Sequence, residues 1–148
     1  MGRTYVIRRA ALEDAAELVG IFAQLHPKHA ALEIDRHILH VTQVLSHPGT
    51  SVFVAGGPRL MGAVTLHVLP NATYGGRPYA LIENVITDQS HRGQGIGRKL
   101  MEAAIAAARA DNTYKVMLLT GKTRAASGFY SKLGFSSGEK EGMILRLE

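Results

Sequence analysis

Between Tyr79 and Asp111 the chain reads YALIENVIT, then DQSHRG, then QGIGRKLMEAAIAAARAD, with Gly93, Gly95 and Gly97 at alternate positions. An apolar, β-branched stretch is handed through a short polar turn to a segment in which Ile96, Leu100, Met101, Ala104, Ile105 and Ala108 recur at helical spacing, with Asn112 as the stop signal. No other feature constrains the fold as much. A strand that passes directly into an amphipathic helix commits the molecule to helices packed on a sheet. It also places glycines where a helix begins, and a helix N-terminus carries unpartnered N–H groups and about half a positive charge. Glycine lets an anion approach such backbone without a Cβ in the way, so the junction is a candidate phosphate site.

The remaining elements extend this pattern on both sides. TYVIRRA predicts a strand over Thr4 to Arg9. From Glu13 to His26, Ala15, Leu18, Val19, Phe22 and Leu25 predict an amphipathic helix, and Ile34, Ile38, Val41 and Leu45 predict a second over Ile34 to Ser46, ending before Pro48. HPKHAALE between them reads as a loop. SVFVA (51–55) and LMGAVTLHVL (60–69) flank a GGPR turn as a hairpin, and YALIENVIT (79–87) follows as a third strand. After the glycine helix come a short strand KVMLLT (115–120), a helix RAASGFYSKL (124–133) closed by Gly134, and a last strand GMILRL (142–147). The order β-α-α-β-β-β-α-β-α-β predicts an α/β (α+β) fold, a mixed sheet covered by helices. At 148 residues the chain has the size of a single domain, 1–148.

Composition removes several classes of function. With 46% hydrophobic and 20% charged residues the chain is globular in character. The absence of Cys excludes disulfides, thiolate metal sites and a cysteine nucleophile. No apolar run approaches the roughly 20 residues of a membrane helix and the N-terminus has no signal-like apolar core, so no membrane partner and a cytoplasmic location are expected. The net charge of +5 is localised: residues 91–132 hold eight Lys/Arg against Glu102 and Asp111, while the rest holds nine against ten. A polyanionic ligand near the glycines explains that distribution, and so does a solvated basic face. No helix carries closely spaced Arg/Lys and no aromatic stacking platform is evident, which ranks nucleic-acid binding last.

Other phosphate motifs fail on spacing. A Rossmann fingerprint requires a third glycine where Leu100 stands. A P-loop ending in the GKT of Gly121 to Thr123 requires a glycine where Val116 stands. What remains is R-x-x-G-x-G, Arg92 to Gly97, after a strand and opening a helix, and it resembles the coenzyme A signature of the GNAT N-acetyltransferase superfamily. The resemblance continues through ENVITD, GIGRKLMEAAIAAA, KVMLLT and GFYSKLGF, so that about residues 80–136 match closely and the first eighty match in element order.

The resemblance implies a splayed sheet with helices on both faces and acetyl-CoA as cosubstrate. It implies that backbone N–H groups around Arg92, Gly93, Gln94, Gly95, Ile96, Gly97 and Arg98 hold the pyrophosphate. Val85, Ile86 and Thr87 would run beside the pantetheine arm like a strand edge. Thr123 stands where many members have Asn, a departure that leaves its contact with the cofactor open. Tyr130 matches the tyrosine that protonates the leaving thiolate in many members; it is also compatible with a packing role. LIENVI and GMILRL are similar to the glucosamine-phosphate N-acetyltransferases, small interlocked dimers, which implies a homodimer and suggests Arg77, Arg124 or Arg146 for a phosphate. The strand 115–120 lacks the acidic residue expected in those sugar enzymes.

Glu83 interrupts an apolar strand, and alternation puts it on one face with Leu81, Val85 and Thr87. Among such neighbours its pKa would rise, as suits a general base acting near neutrality through a water. A glutamate on the solvated side of a half-exposed strand is the competing reading. His26/His29 and His37/His40 are each three apart, but no third ligand is placed and no metal is expected; acceptor-pocket walls or solvated helix ends account for them. Acetyl transfer to a small-molecule primary amine is the function expected. A protein amine as acceptor and a non-catalytic coenzyme A-binding protein stay open.

Overall fold

A computed structural model describes residues 4–29 and 34–147. It divides into two compact units, the first ending at Met117 and the second beginning at Leu118. In the first, strands β1 (Val6–Arg9), β2 (Thr50–Gly56), β3 (Leu60–Leu69), β4 (Tyr79–Thr87) and β5 (Val116–Met117) lie in sequence order in one sheet. The first four pair antiparallel and β5 runs parallel to β4. Helices α1 (Ala15–Ala23) and α2 (Ile34–Ser46) precede β2, and α3 (Ile96–Ala110) connects β4 to β5. The mixed α/β fold expected from the element order is observed. Residues 30–33 of the predicted loop lie outside the described residues.

The two faces of the sheet are built differently. Ala15, Leu18 and Ile21 of α1 and Val41 of α2 pack with Val52, Val54, Ala63 and Ile86 in one buried cluster. Val54, Ala63 and Ile86 are successive cross-strand partners, so they share that face. On the opposite face α3 buries Ile96, Leu100, Met101, Ala104 and Ala108. It approaches closely at Gly62, where an added Cβ would come within 2.8 Å of the Ile86 carbonyl oxygen and 3.0 Å of Leu100 Cδ1. Glu17 of α1 ties helix to sheet by accepting the Leu60 N–H at 2.7 Å.

Several expectations are corrected. The first helix begins later, at Ala15, because Leu12–Asp14 forms a tighter 3₁₀ turn. Asp14 accepts the Ala11 N–H at 2.7 Å and is gripped by Arg8 Nη1 and Nη2 at 2.7 and 2.9 Å, which fixes that turn. Ile34, predicted on the apolar face of α2, is 68% exposed at the helix's first position. The strand predicted over 115–120 is reduced to Val116–Met117. The predicted last strand, 142–147, forms no strand at all, and Met143, Leu145 and Leu147 are each more than four-fifths exposed. A strand exists only where a neighbour supplies N–H and C=O partners, and among the described residues this segment has none.

The second unit is built on α4 (Arg124–Lys132). Thr123 caps its N-terminus by accepting the Ala126 N–H at 3.1 Å. Its C-terminus closes with Gly134 N–H on the Ser131 carbonyl and Phe135 N–H on the Tyr130 carbonyl, a Schellman arrangement.

Candidate active site

The junction between β4 and α3 has the form that anion binding requires. Gly93 (φ +76°) and Gly95 (φ +77°) both adopt left-handed backbone, and a Cβ built on either meets nothing within 4 Å. These glycines are therefore demanded by backbone conformation, and the space above them is open. Gly95 is the N-cap of α3 and supplies no side-chain cap. Lys99 N–H finds the Gly95 carbonyl at 3.2 Å, leaving the Gly95, Ile96, Gly97 and Arg98 N–H groups as the helix's unpartnered donors. Residues 92–95 are exposed, whereas the Ile96 side chain is buried and anchors the first turn. The side chains around the turn are partly committed. Arg92 Nε donates to the Thr87 carbonyl at 3.3 Å, Arg98 Nε pairs with Glu102 at 2.9 Å, and Lys99 lies 5.2 Å from the centroid of the Tyr5 ring.

Upstream of the glycines a compact polar knot closes the turn Gln89–His91. Asp88 Oδ2 accepts the Ser90 N–H at 3.2 Å, the Ser90 hydroxyl, and His91 Nδ1 at 2.8 Å. Its Oδ1 accepts Gln24 Nε2 at 2.7 Å. Hydrogen bonds from Ser90, Gln24 and His91 hold the Asp88 carboxyl well below the usual carboxylate range. Sequence reasoning missed this knot. Asp in the N-cap position of D-Q-S-H was its local signal, but Gln24, 64 residues away, had none.

β4 is interrupted where its chemistry was expected. Thr65 of β3 pairs with Glu83 and Ala63 pairs with Ile86, so Asn84 and Val85 together face Val64, which is a β-bulge. Asn84 has φ +53°, a conformation that Asn tolerates better than other side chains. The bulge corrects the expected alternation. Ile86 shares the α1/α2 face with Glu83, while Thr87, paired with Gly62, turns toward α3. Glu83 is exposed, so the apolar enclosure expected around it is not found. Beside it, Thr65 is 1% exposed, and among the described residues its hydroxyl has no hydrogen-bond partner. Further along the same face, His67 Nδ1 and His47 Nδ1 both bond the Thr50 hydroxyl, at 2.8 and 3.1 Å.

The β4–β5 ladder pairs Ala80 with Val116 and Leu81 with Met117 and extends no further. On that side the backbone of β4 from Glu83 to Thr87 has no partner from β5, so the two strands part beyond Leu81.

In the second unit, Tyr130 is half-buried against Phe129 (centroids 5.0 Å) and Phe135 (6.0 Å). Burial pushes its phenol pKa up from the ordinary value, so the hydroxyl keeps its proton at neutral pH. The Thr123 hydroxyl oxygen is engaged as the α4 cap.

Other expectations are redirected. Arg77, suggested for a phosphate, donates Nε to the Asn112 carbonyl at 3.2 Å and Nη2 to the Thr113 carbonyl at 3.0 Å. His37 and His40 lie with ring centroids 6.2 Å apart, and among the described residues no group of three His, Asp or Glu converges on a point. Tyr74 and Tyr114 stack at 4.1 Å, an aromatic pair that the sequence did not reveal. Among the described residues no helix is long and apolar enough to cross a membrane.

Residues 10–135 match the Acetyltransferase (GNAT) family. The chain is 30% identical over 141 residues to a glucosamine 6-phosphate N-acetyltransferase of Trypanosoma brucei brucei, covering 92% of this chain and 90% of the relative. Among solved structures it is similar to an Agrobacterium tumefaciens str. C58 protein provisionally assigned as an acetyltransferase, with 35% identity, a TM-score of 0.88, and 95% and 99% of the two chains covered. It is also similar to a protein of Bacillus halodurans C-125 described as a transcriptional regulator, with 29% identity, a TM-score of 0.86, and 97% and 100% coverage.

Proposed function

The chain belongs to the GNAT acetyltransferase family and is an acetyl-CoA-dependent N-acetyltransferase, and from that premise we propose that it moves the acetyl group directly to the primary amine of a small molecule. The observation that carries the proposal is the open left-handed glycine turn at the head of α3, whose uncapped N–H groups suit the pyrophosphate of coenzyme A. Around it we assign the cofactor to Val85, Ile86 and Thr87, where β4 has parted from β5, and to the backbone of Arg92, Gly93, Gln94, Gly95, Ile96, Gly97 and Arg98. Thr123 keeps a hydroxyl hydrogen to donate while it caps α4.

Direct transfer requires a free amine, stabilisation of the tetrahedral oxyanion, and a proton for the departing thiolate. The bulge frees the backbone of Asn84 and Val85 from the regular β3 ladder, which supports an oxyanion donor there. We assign Glu83 as the base that takes the amine proton through a water, a role that exposure permits and that closure around the cofactor would sharpen. Tyr130 is assigned as the acid, and its raised pKa keeps the proton available for the sulfur. Positioning two substrates supplies about 7–11 kcal/mol and a general base about 10²- to 10⁴-fold, so the cradle outweighs Glu83.

The acceptor we favour is a phosphorylated amino sugar, on the strength of the 30%-identical Trypanosoma relative. With Arg77 committed to backbone carbonyls, Arg124 and Arg146 are the arginines left for its phosphate. We further assign one domain, since the family match runs from the first unit into the second as far as residue 135, a cytoplasmic location, and a homodimer, for which the exposed apolar run 142–147 offers a surface. The Bacillus relative, described as a transcriptional regulator, favours one second reading, in which binding of coenzyme A and not turnover is this chain's working role. A thermal-shift titration with acetyl-CoA followed by thiol release over an amine panel including glucosamine 6-phosphate tests both. Stabilisation with thiol release supports the enzyme, stabilisation without release from any amine supports the second reading, and no stabilisation removes both. Glu83→Gln should slow turnover by about 10²-fold with coenzyme A affinity kept, and an unchanged pH–rate profile removes Glu83 as the base.

A further inference from the structure

We propose that Gln24 is a positioning residue for the cofactor cradle, joining the end of α1 to the glycine turn through Asp88; the inference rests on reading residues 92–98 as the coenzyme A site. Gln24 is the C-cap of α1. Its amide faces the turn with both ends: Nε2 donates to Asp88 Oδ1 at 2.7 Å and Oε1 accepts the Gln89 N–H at 3.1 Å. The orientation is chemically unique, because a flipped amide would set oxygen against carboxylate and NH₂ against N–H.

Asp88 is the hub. Its own N–H is held by the Met61 carbonyl at 2.8 Å, and its carbonyl accepts the His91 N–H at 2.8 Å. Its carboxylate collects Gln24, Ser90 and His91. Downstream, Arg92 donates to the Thr87 carbonyl, while Gly93 and Gly95 have no side chain with which to brace themselves. The direction in which the cradle's N–H groups point is thus set by the 88–91 knot on one side and by buried Ile96 on the other. Gln24 is the knot's link to the helix that packs on the Glu83 face of the sheet. Its loss leaves the chain folded but widens the range of orientations the turn samples, and a cofactor that needs several N–H groups at once binds less tightly.

The test is Gln24→Met, which keeps length and packing but removes both hydrogen bonds. Calorimetry with coenzyme A should show affinity about tenfold weaker, and amides of residues 89–97 should exchange faster in the free protein. Circular dichroism and the melting midpoint without cofactor report folding separately. Once an acceptor is in hand, KM for acetyl-CoA should rise while kcat at saturation stays within about twofold, a split that general loss of structure would not produce. Gln24→Glu, which keeps the acceptor but sets a second carboxylate beside Asp88, should bind less tightly still and serves if the Met variant fails to fold. Wild-type binding with both variants within about twofold of it overturns the inference alone. Failure of the wild type to bind coenzyme A overturns the cradle reading and the inference together.

Discussion

Two glycine-bordered stretches of similar promise in the sequence, the junction 85–98 and the closing run 142–147, have opposite fates. The junction is held by its own neighbourhood, with β3 pairing on one side, buried Ile96 beneath, and the Asp88 knot at its base. GMILRL has the composition of a central strand, yet Met143 and Leu147 are each 88% exposed and no ladder forms. What separates them is whether partners lie among the described residues. β-Propensity describes fit to a half-buried pleated surface and becomes structure only when that surface exists.

The sharpest way to break the contrast is Gly95→Asp. A left-handed side chain costs about 1–2 kcal/mol, and a carboxylate at the mouth of the cradle repels a diphosphate, so coenzyme A affinity should fall by about 100-fold or more in calorimetry. Gly95→Ala isolates the conformational part and should cost about tenfold. Wild-type affinity in Gly95→Asp would show that residues 92–98 do not form the cofactor site. Neither change should alter the oligomeric state, since neither touches the closing run.

What the sequence disclosed follows the same division. β3, β4 and α2 match their predicted bounds because Gly, Pro and polar clusters punctuate them locally. The glycine turn was legible for the same reason: its conformation is demanded residue by residue. The bulge at Asn84 was half-legible, since Asn among β-branched residues is a local sign, but the reversal of Thr87's face follows from register with β3. Gln24 was illegible because its meaning lies in an aspartate 64 positions on. The closing run misled because the pattern predicts a strand without saying which chain supplies its partner.

The next effect in size addresses that partner. If the closing run is exposed because it awaits a second copy, Leu145→Lys should weaken the homodimer by about tenfold or more in sedimentation equilibrium, as expected for a charge placed in an apolar contact. A wild-type protein that is monomeric at tens of micromolar would remove the proposed dimer. A dimer indifferent to Leu145→Lys would move the interface elsewhere.

The smallest effect is one of acidity, and it separates the regions within one molecule. Asp88 has its folded pKa lowered, so its contribution to stability is fully present above the unfolded value of about 4 and fades as pH falls through the folded one. Hydrogen bonds to a charged group of this kind are worth about 1.5–3 kcal/mol. Asp88→Asn should therefore lower stability by about 1–2 kcal/mol at pH 7 and flatten its decline below about pH 4, read from urea midpoints across pH. In the wild type, amide protection at residues 89–97 should fall over the same acid range. The run 142–147 contains no carboxylate side chain, so its exchange should follow only the intrinsic chemistry of free amides. If protection at 89–97 stayed constant to pH 2, the Asp88 knot would not be what holds the turn. Equal acid sensitivity in both regions would mean that they unfold as one, and that the contrast between a self-sufficient junction and a partner-dependent tail holds only for the folded state.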